Sequence, residues 1–98
     1  MFSNSIFAAG SYIARDATIT AVGNTYGSGD NFIVNIIGGS NGTWQGQNIT
    51  FKLVTVTMET IHARGYSTAL TAFTSGHKVS IWSADGTCEG ANHIMVSK

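Results

Sequence analysis

The residues of this chain best suited to chemistry are aromatic side chains beside polar loop residues. Tyr26, Trp44 and Trp82 lie in or next to predicted loops that carry Asn24 and Asp85. Aromatic faces pack against the C–H surfaces of sugars, while amide, carboxylate and backbone groups hydrogen-bond the hydroxyls. We therefore predict that these five residues bind a ligand, with a glycan as the ligand class. The alternative is that each aromatic residue closes an end of the fold or packs at a subunit interface. For Trp82, which lies in a predicted strand, this packing role is favoured over ligand binding.

The titratable residues form no pattern that is typical of catalysis. General acid–base catalysis needs carboxylates that are paired or whose pKa is shifted by their surroundings. The acidic residues, most of them in predicted turns, are Asp16, Asp30, Glu59, Asp85 and Glu89. Cys88 lies in a glycine-rich turn without a nucleophile signature, although His62, His77 or His93 could serve as its base. We therefore predict no catalytic residue and no enzymatic activity.

Metal and phosphate sites are also not predicted. Cys88, His93 and either Asp85 or Glu89 could meet across the last hairpin. Structural zinc, however, takes four Cys or His ligands at recognisable spacing, which this chain lacks. The glycine-rich segments at 23–29 and 38–42 lack the lysine of a phosphate-binding loop. The prediction is no metal and no cofactor.

An amphipathic helix within residues 59–75 is the clearest predicted element. Its predicted apolar face has the spacing i, i+3, i+4, i+7 and consists of Tyr66, Ala69, Leu70 and Phe73. Gly76 follows where a left-handed C-cap would end the helix without steric cost. The opposite face carries small hydroxyl residues that would let helices approach closely: Ser67, Thr68, Thr71 and Ser75. We predict that these four residues form an oligomer interface, and the alternative is an ordinary solvated face.

The rest of the chain has the signals of strands separated by turns. The predicted strands are residues 17–22, 32–37, 48–58, 78–83 and 93–97, with 48–58 the longest. The order β-β-β-α-β-β predicts a mainly β fold with one helix, a five-stranded OB-type barrel, and a flat α+β sandwich is the alternative. A length of 98 residues indicates one domain, 1–98, in which residues 1–16 form an N-terminal arm or edge strand.

Composition narrows the classes of function. Only 10% of residues are charged and the formal net charge is zero, which excludes the basic footprint of a nucleic-acid-binding protein. A weakly charged surface of Ser, Thr, Asn and Gly favours self-association and is typical of secreted or assembly-forming β proteins. No apolar run reaches the roughly 20 residues of a membrane-spanning helix, so membrane insertion is not expected. A secreted or periplasmic location is expected, although the N-terminus lacks the basic region of a signal peptide.

A short signature in the second half of the chain carries a resemblance to a known family. It comprises Ala69-Leu70, Phe73, Thr74-Ser75-Gly76, Val79, Ile81 and Trp82. With the element order, it resembles the B subunits of bacterial A–B toxins, especially the pertussis-like and subtilase-cytotoxin-like group. The resemblance implies an OB-fold homopentamer whose helices line a central channel. It also implies a cell-surface glycan as ligand and a catalytic A subunit as partner.

The chain departs from this family where the family binds its ligand. The family's glycan contacts come from a Ser, acidic groups and aromatic residues. The nearest positions here hold Arg15, Asp16, Ile37 and Trp82, of which only Trp82 matches. Cys88 is the single cysteine, so the family's disulfide is absent. The alternative function is therefore a structural or interaction scaffold of toxin-B-like fold with no sugar site.

Overall fold

A computed structural model describes residues 10–25, 30–40, 44–53 and 58–98 of the chain. Within these ranges the elements follow one another in the order β-β-β-α-β-β. They are β1 (Ser11–Thr25), β2 (Asn31–Ile37), β3 (Ile49–Lys52), α1 (Glu59–Ser75), β4 (Lys78–Ser83) and β5 (Ala91–Ser97). No helix in the described ranges is long and apolar enough to cross a membrane.

The five strands form one sheet that closes into a ring. The order around the ring is β1-β2-β3-β5-β4, and β4 pairs back to β1. All neighbours are antiparallel except β3 and β5, which run parallel and meet at Phe51 and Ala91. Next to this contact, the Thr50 N–H donates to the Cys88 carbonyl at 2.8 Å. Within the described ranges the prediction of a mainly β fold with one helix is confirmed, and a sheet that closes on itself excludes the flat sandwich.

Strand β1 is longer than the sequence predicted, because two different strands pair along it. It begins at Ser11 instead of residue 17, pairs first with β4, and after Thr18 pairs with β2. The part of the predicted arm that the structure describes is therefore mostly strand. The register shifts near Asp16, which has a φ of 53°. Such a bulge bends a strand and increases its twist, which helps a short sheet to close.

Strand β3 is shorter than predicted. Residues 48–58 were expected to form the longest strand, but β3 has 4 residues and β1, with 15, is the longest among the described residues. Lys52 lies opposite Asn31, the first residue of β2, so β2 offers no further partner beyond this pair. Residues 54–57 lie outside the described ranges.

The core fills the ring and is covered by the helix. Its largest members include Phe32, Ile36, Ile49, Phe51 and Ile81, each exposed by 2% or less. The Phe32 and Phe51 rings stack with their centroids 4.5 Å apart. Burying a side chain of this size contributes about 1.5–3 kcal/mol. Helix α1 packs against β1, β5 and β4, and its position determines which surfaces are left for a ligand.

The helix fills the predicted segment, 59–75, but only Ala69 and Tyr66 of the predicted apolar face pack into the core. Gly76 has a φ of 72° and donates its N–H to the Ala72 carbonyl, which confirms the predicted C-cap. The buried residues are His62, Ala69 and Ala72. Leu70 and Phe73 were predicted to be in the core, but they are 37% and 44% exposed. That prediction was wrong because the small residues on the helix permit the closest approach to the sheet, which moves the bulkier ones to the side.

Candidate functional site

A cavity of about 230 Å³ lies between α1 and β5. Two core phenylalanines from β2 and β3 form its floor, the first half of α1 forms one wall and the start of β5 forms the other. We refer to it as the groove, and define it by Phe32, Phe51, His62, Arg64, Gly65, Asn92 and His93. It is a mixed apolar and polar hollow of the kind that binds small ligands.

A helix-interior glycine keeps this hollow open. A Cβ atom added to Gly65 would lie 3.4 Å from Cζ of Phe32 and 4.0 Å from Cγ2 of Ile94. Any larger side chain at this position would therefore extend toward the floor. Glycine in a helix interior costs about 1 kcal/mol relative to alanine. Gly65, a glycine in the middle of the predicted helix, was the available sequence signal for a close approach or a hollow.

His62 attaches the helix wall to the floor. The residue is 7% exposed, and its Nε2 lies 2.9 Å from the backbone oxygen of Phe51. Because a carbonyl oxygen can only accept, Nε2 carries the proton in this bond. The ring also lies 5.0 Å from that of Phe32, centroid to centroid. His62 thus holds the start of α1 against β3, a role that the sequence did not indicate.

The polar groups of the groove require complementary partners. The Oδ1 atom of Asn92 is buried and has no hydrogen-bond partner among the described residues. Leaving such an acceptor unpaired costs about 1–3 kcal/mol. Arg64 supplies a guanidinium group at the rim, and no carboxylate lines the described part of the groove. The arrangement can therefore accept a hydrogen-bond donor at Asn92 and an anionic acceptor at Arg64.

A second candidate surface lies on the outside of the ring, where β1 pairs with β4. Tyr12 is opposite Trp82, and their rings meet edge to face with centroids 5.1 Å apart. The Cζ atom of Arg15 lies 3.8 Å from the centroid of the Tyr12 ring. The neighbours Ile13 and Ile81 are buried, so Tyr12 and Trp82 point outward. We refer to Tyr12, Arg15 and Trp82 as the aromatic patch.

The structure places the predicted ligand-binding residues in separate settings. Trp82 belongs to the aromatic patch, where Gly10 packs closely against its indole ring. Trp44 is half-buried against the core. Asn24 is exposed near the start of α1 and shares a hollow with Asp30 and Glu59. Tyr26 lies outside the described residues.

Asp85, the remaining predicted ligand-binding residue, organises the turn between β4 and β5. Its Oδ1 accepts from Thr87 N at 2.9 Å, from Thr87 Oγ1 at 2.8 Å and from Ser83 Oγ at 3.0 Å. The backbone hydrogen bond from Thr87 is the main cause that lowers the pKa of Asp85, followed by the Thr87 hydroxyl. Partial burial of the carboxyl acts in the opposite direction on its pKa. The Asp85 carboxylate therefore accepts hydrogen bonds within its own turn and stabilises that turn.

The predicted interface residues lie along the helix but use several of their hydroxyl groups internally. Ser67, Thr71 and Ser75 are exposed and Thr68 is half-buried. The Thr68 hydroxyl donates to the Arg64 carbonyl at 2.9 Å, and the Ser75 hydroxyl donates to the Thr71 carbonyl at 2.7 Å. Ser67, Thr68 and Thr71 line a shallow hollow next to the groove, with Val96 on the other side. These residues present small side chains on this part of the helix surface.

Metal binding has no candidate set in the described part of the chain. No three His, Cys, Asp or Glu residues are placed there so that they could hold a metal ion. Cys88 is a half-buried free thiol.

Comparison with known proteins gives one assignment. No curated protein matches the chain, and no solved structure matches it. A family model, described as "Family of unknown function (DUF5992)", matches residues 1–98. The chain therefore belongs to the family of unknown function DUF5992.

Proposed function

We propose that this chain is a non-catalytic binding module with an OB-type barrel, which forms a homo-oligomer and binds a cell-surface glycan. The ring order β1-β2-β3-β5-β4, with α1 between β3 and β4, supports the OB-type part of the proposal. OB folds are five-stranded, partly open barrels that bind oligosaccharides or oligonucleotides on their surface. Zero net charge makes the oligosaccharide the better match.

The aromatic patch is the observation that carries the glycan proposal. Trp82 and Tyr12 provide aromatic surface on the outside of the ring, and Arg15, an exposed residue, places its guanidinium over one face of the Tyr12 ring. A sugar ring packs its C–H groups on such aromatic surface while its hydroxyls accept hydrogen bonds from the guanidinium. The resemblance to toxin B subunits implies a glycan site on the outer surface of the barrel, and the aromatic patch lies on the outside of the ring.

A glycan array followed by calorimetry on the best glycan tests this proposal. We expect Trp82→Ala to weaken binding about tenfold or more, which corresponds to roughly 1.4 kcal/mol. Met58→Ala is the control, because Met58 is an exposed apolar residue outside the patch. Both variants must retain the melting temperature of the parent. An array without any bound glycan, or unchanged affinity in Trp82→Ala, would refute the glycan proposal.

The exposed apolar side of the helix supports the assembly part of the proposal. Leu70 and Phe73 remain 37% and 44% exposed in the single chain, and a second copy would remove them from water. The double variant Leu70→Ser/Phe73→Ser is expected to convert an oligomer into a monomer in light scattering coupled to gel filtration. A parent protein that is already monomeric would contradict the assembly. The pentamer and the catalytic A subunit follow from the resemblance, the secreted or periplasmic location follows from the composition, and all three belong to this proposal.

The alternative function is a scaffold of the same fold with no sugar site. It is favoured by the contacts that Trp82 makes with Gly10 and Tyr12, and by the hydrogen bonds that occupy Asp85. The glycan array and light scattering distinguish the two functions. An oligomer that binds no glycan on the array supports only the scaffold.

A further inference from the structure

We infer that the groove between α1 and β5 binds a small organic anion that also carries a hydroxyl or N–H group. This site is distinct from the aromatic patch, so the inference goes beyond the proposed function. It rests on the size of the groove, on its charge and on one buried acceptor.

The groove itself has room for about one ring. Its volume of about 230 Å³ lies below the roughly 300–1,000 Å³ of pockets that hold drug-sized ligands. Gly65 keeps this volume free because it has no side chain to extend toward Phe32. The apolar floor suits the carbon skeleton of the ligand, and the polar walls suit its substituents.

The charged group of the groove selects for an anion. Arg64 is exposed at the rim and has no ion-pair partner among the described residues. His62 and His93 also line the groove, and no carboxylate does so within the described ranges. The nearby acids Asp30 and Glu59 line a different hollow, which adjoins His62 and Tyr66. A guanidinium group binds a carboxylate or phosphate through two parallel hydrogen bonds, which gives direction as well as attraction.

The buried acceptor adds the second requirement. Asn92 Oδ1 has no partner among the described residues, and it can only accept a hydrogen bond. A ligand that offers an O–H or N–H group satisfies this atom. A simple anion pairs with Arg64 but leaves Asn92 Oδ1 without a donor, whereas a neutral sugar supplies a donor to Asn92 but no negative charge to Arg64. A hydroxylated anion meets both, which is why we assign this ligand class.

Titrations followed by amide NMR test the inference with probes that separate the two requirements. Glucuronate carries both an anion and hydroxyls, glucose carries only hydroxyls, and cyclohexanecarboxylate carries only the anion. We expect glucuronate to bind about tenfold or more tightly than either of the others, with shifts at residues 64–68 and 92–94. Glucose 6-phosphate distinguishes a phosphate from a carboxylate as the anionic group. Equal affinity for the first three probes, or no shift in the groove, would overturn the assignment.

Two variants connect the binding to the named side chains. Arg64→Gln is expected to remove the preference for glucuronate over glucose. Asn92→Leu is expected to remove the preference for glucuronate over cyclohexanecarboxylate. Lys78→Gln, which removes an exposed cation outside the groove, should change neither preference. If Asn92→Leu does not fold, Arg64→Gln decides alone, and an unchanged preference in that variant overturns the inference. Trp82→Ala should leave groove binding intact, which separates this result from that of the aromatic patch.

Discussion

Replacing Gly65 by alanine tests how closely α1 approaches the floor of the groove. Gly65 lies in the interior of α1, where alanine is more favourable than glycine by about 0.8–1.0 kcal/mol. The new methyl carbon would lie 3.4 Å from Cζ of Phe32, a distance at the short end of ordinary van der Waals contact. Phe32 is 1% exposed and stacked on Phe51, so it can yield only slightly. We therefore expect a net stabilisation of about 0.5–1 kcal/mol.

Gly76→Ala is the matched control, because the same substitution should have the opposite sign there. Gly76 has a φ of 72° and nothing within 4 Å of an added Cβ atom. The left-handed conformation alone then costs alanine about 1–2 kcal/mol. Gly65→Ala is favourable because alanine has the higher helix propensity, whereas Gly76→Ala is unfavourable because the backbone there is left-handed.

Urea unfolding and thermal melting of both variants give the measurement. For a domain of this size, 1 kcal/mol shifts the melting temperature by about 4–8 °C. Gly65→Ala should therefore melt about 2–8 °C higher than the parent, and Gly76→Ala lower. Destabilisation by Gly65→Ala would show that the helix lies too close to Phe32 for a methyl group, and would refute the assigned packing.

Two further predictions concern buried and turn-forming polar contacts. His62→Leu removes the donor to the Phe51 carbonyl and should lower the free energy of unfolding by about 1–3 kcal/mol. His93→Gln, at an exposed position, should leave it nearly unchanged, and equal losses would contradict the role of His62. Asp85→Ala removes the acceptor of the β4–β5 turn and should cost on the order of 1 kcal/mol at neutral pH, since the site is exposed. The folded-state pKa of Asp85 is below its ordinary value of 3.8, so its contribution is present above 3.8 and is lost as the pH falls through the folded value. A difference between parent and Asp85→Ala in urea unfolding that persists unchanged well below the folded value would contradict this assignment.

The parts of the fold that the sequence predicted well depend on local geometry. Helix α1 has the predicted bounds because helical periodicity and a C-cap glycine are properties of neighbouring residues. Strands β2 and β4 lie close to their predicted positions for a similar reason, since short runs of β-branched and aromatic residues bounded by turn residues indicate strands. The predicted order of elements follows from the same local signals.

The candidate sites depend on contacts between residues that are distant along the chain. Arg64 and Asn92 line one groove only because α1 packs beside β5. Trp82 meets Tyr12 only because β4 pairs back to β1. The helix periodicity was correctly recognised, but the placement of Leu70 and Phe73 in the core was not. The face with the small residues Ala69 and Ala72 is the one that docks on the sheet.

The sequence by itself determined that this protein is a small, mainly β domain with one capped helix and a nearly uncharged surface. These properties arise from backbone sterics, side-chain periodicity and composition, which act over a few residues or over the whole chain at once. Only the tertiary structure decided how the sheet closes into a ring, which helix face is buried and which polar groups meet in the groove. Those outcomes depend on strand pairing and on the docking of α1. Both bring together side chains that are far apart in the sequence, so local sequence patterns do not indicate which residues will meet.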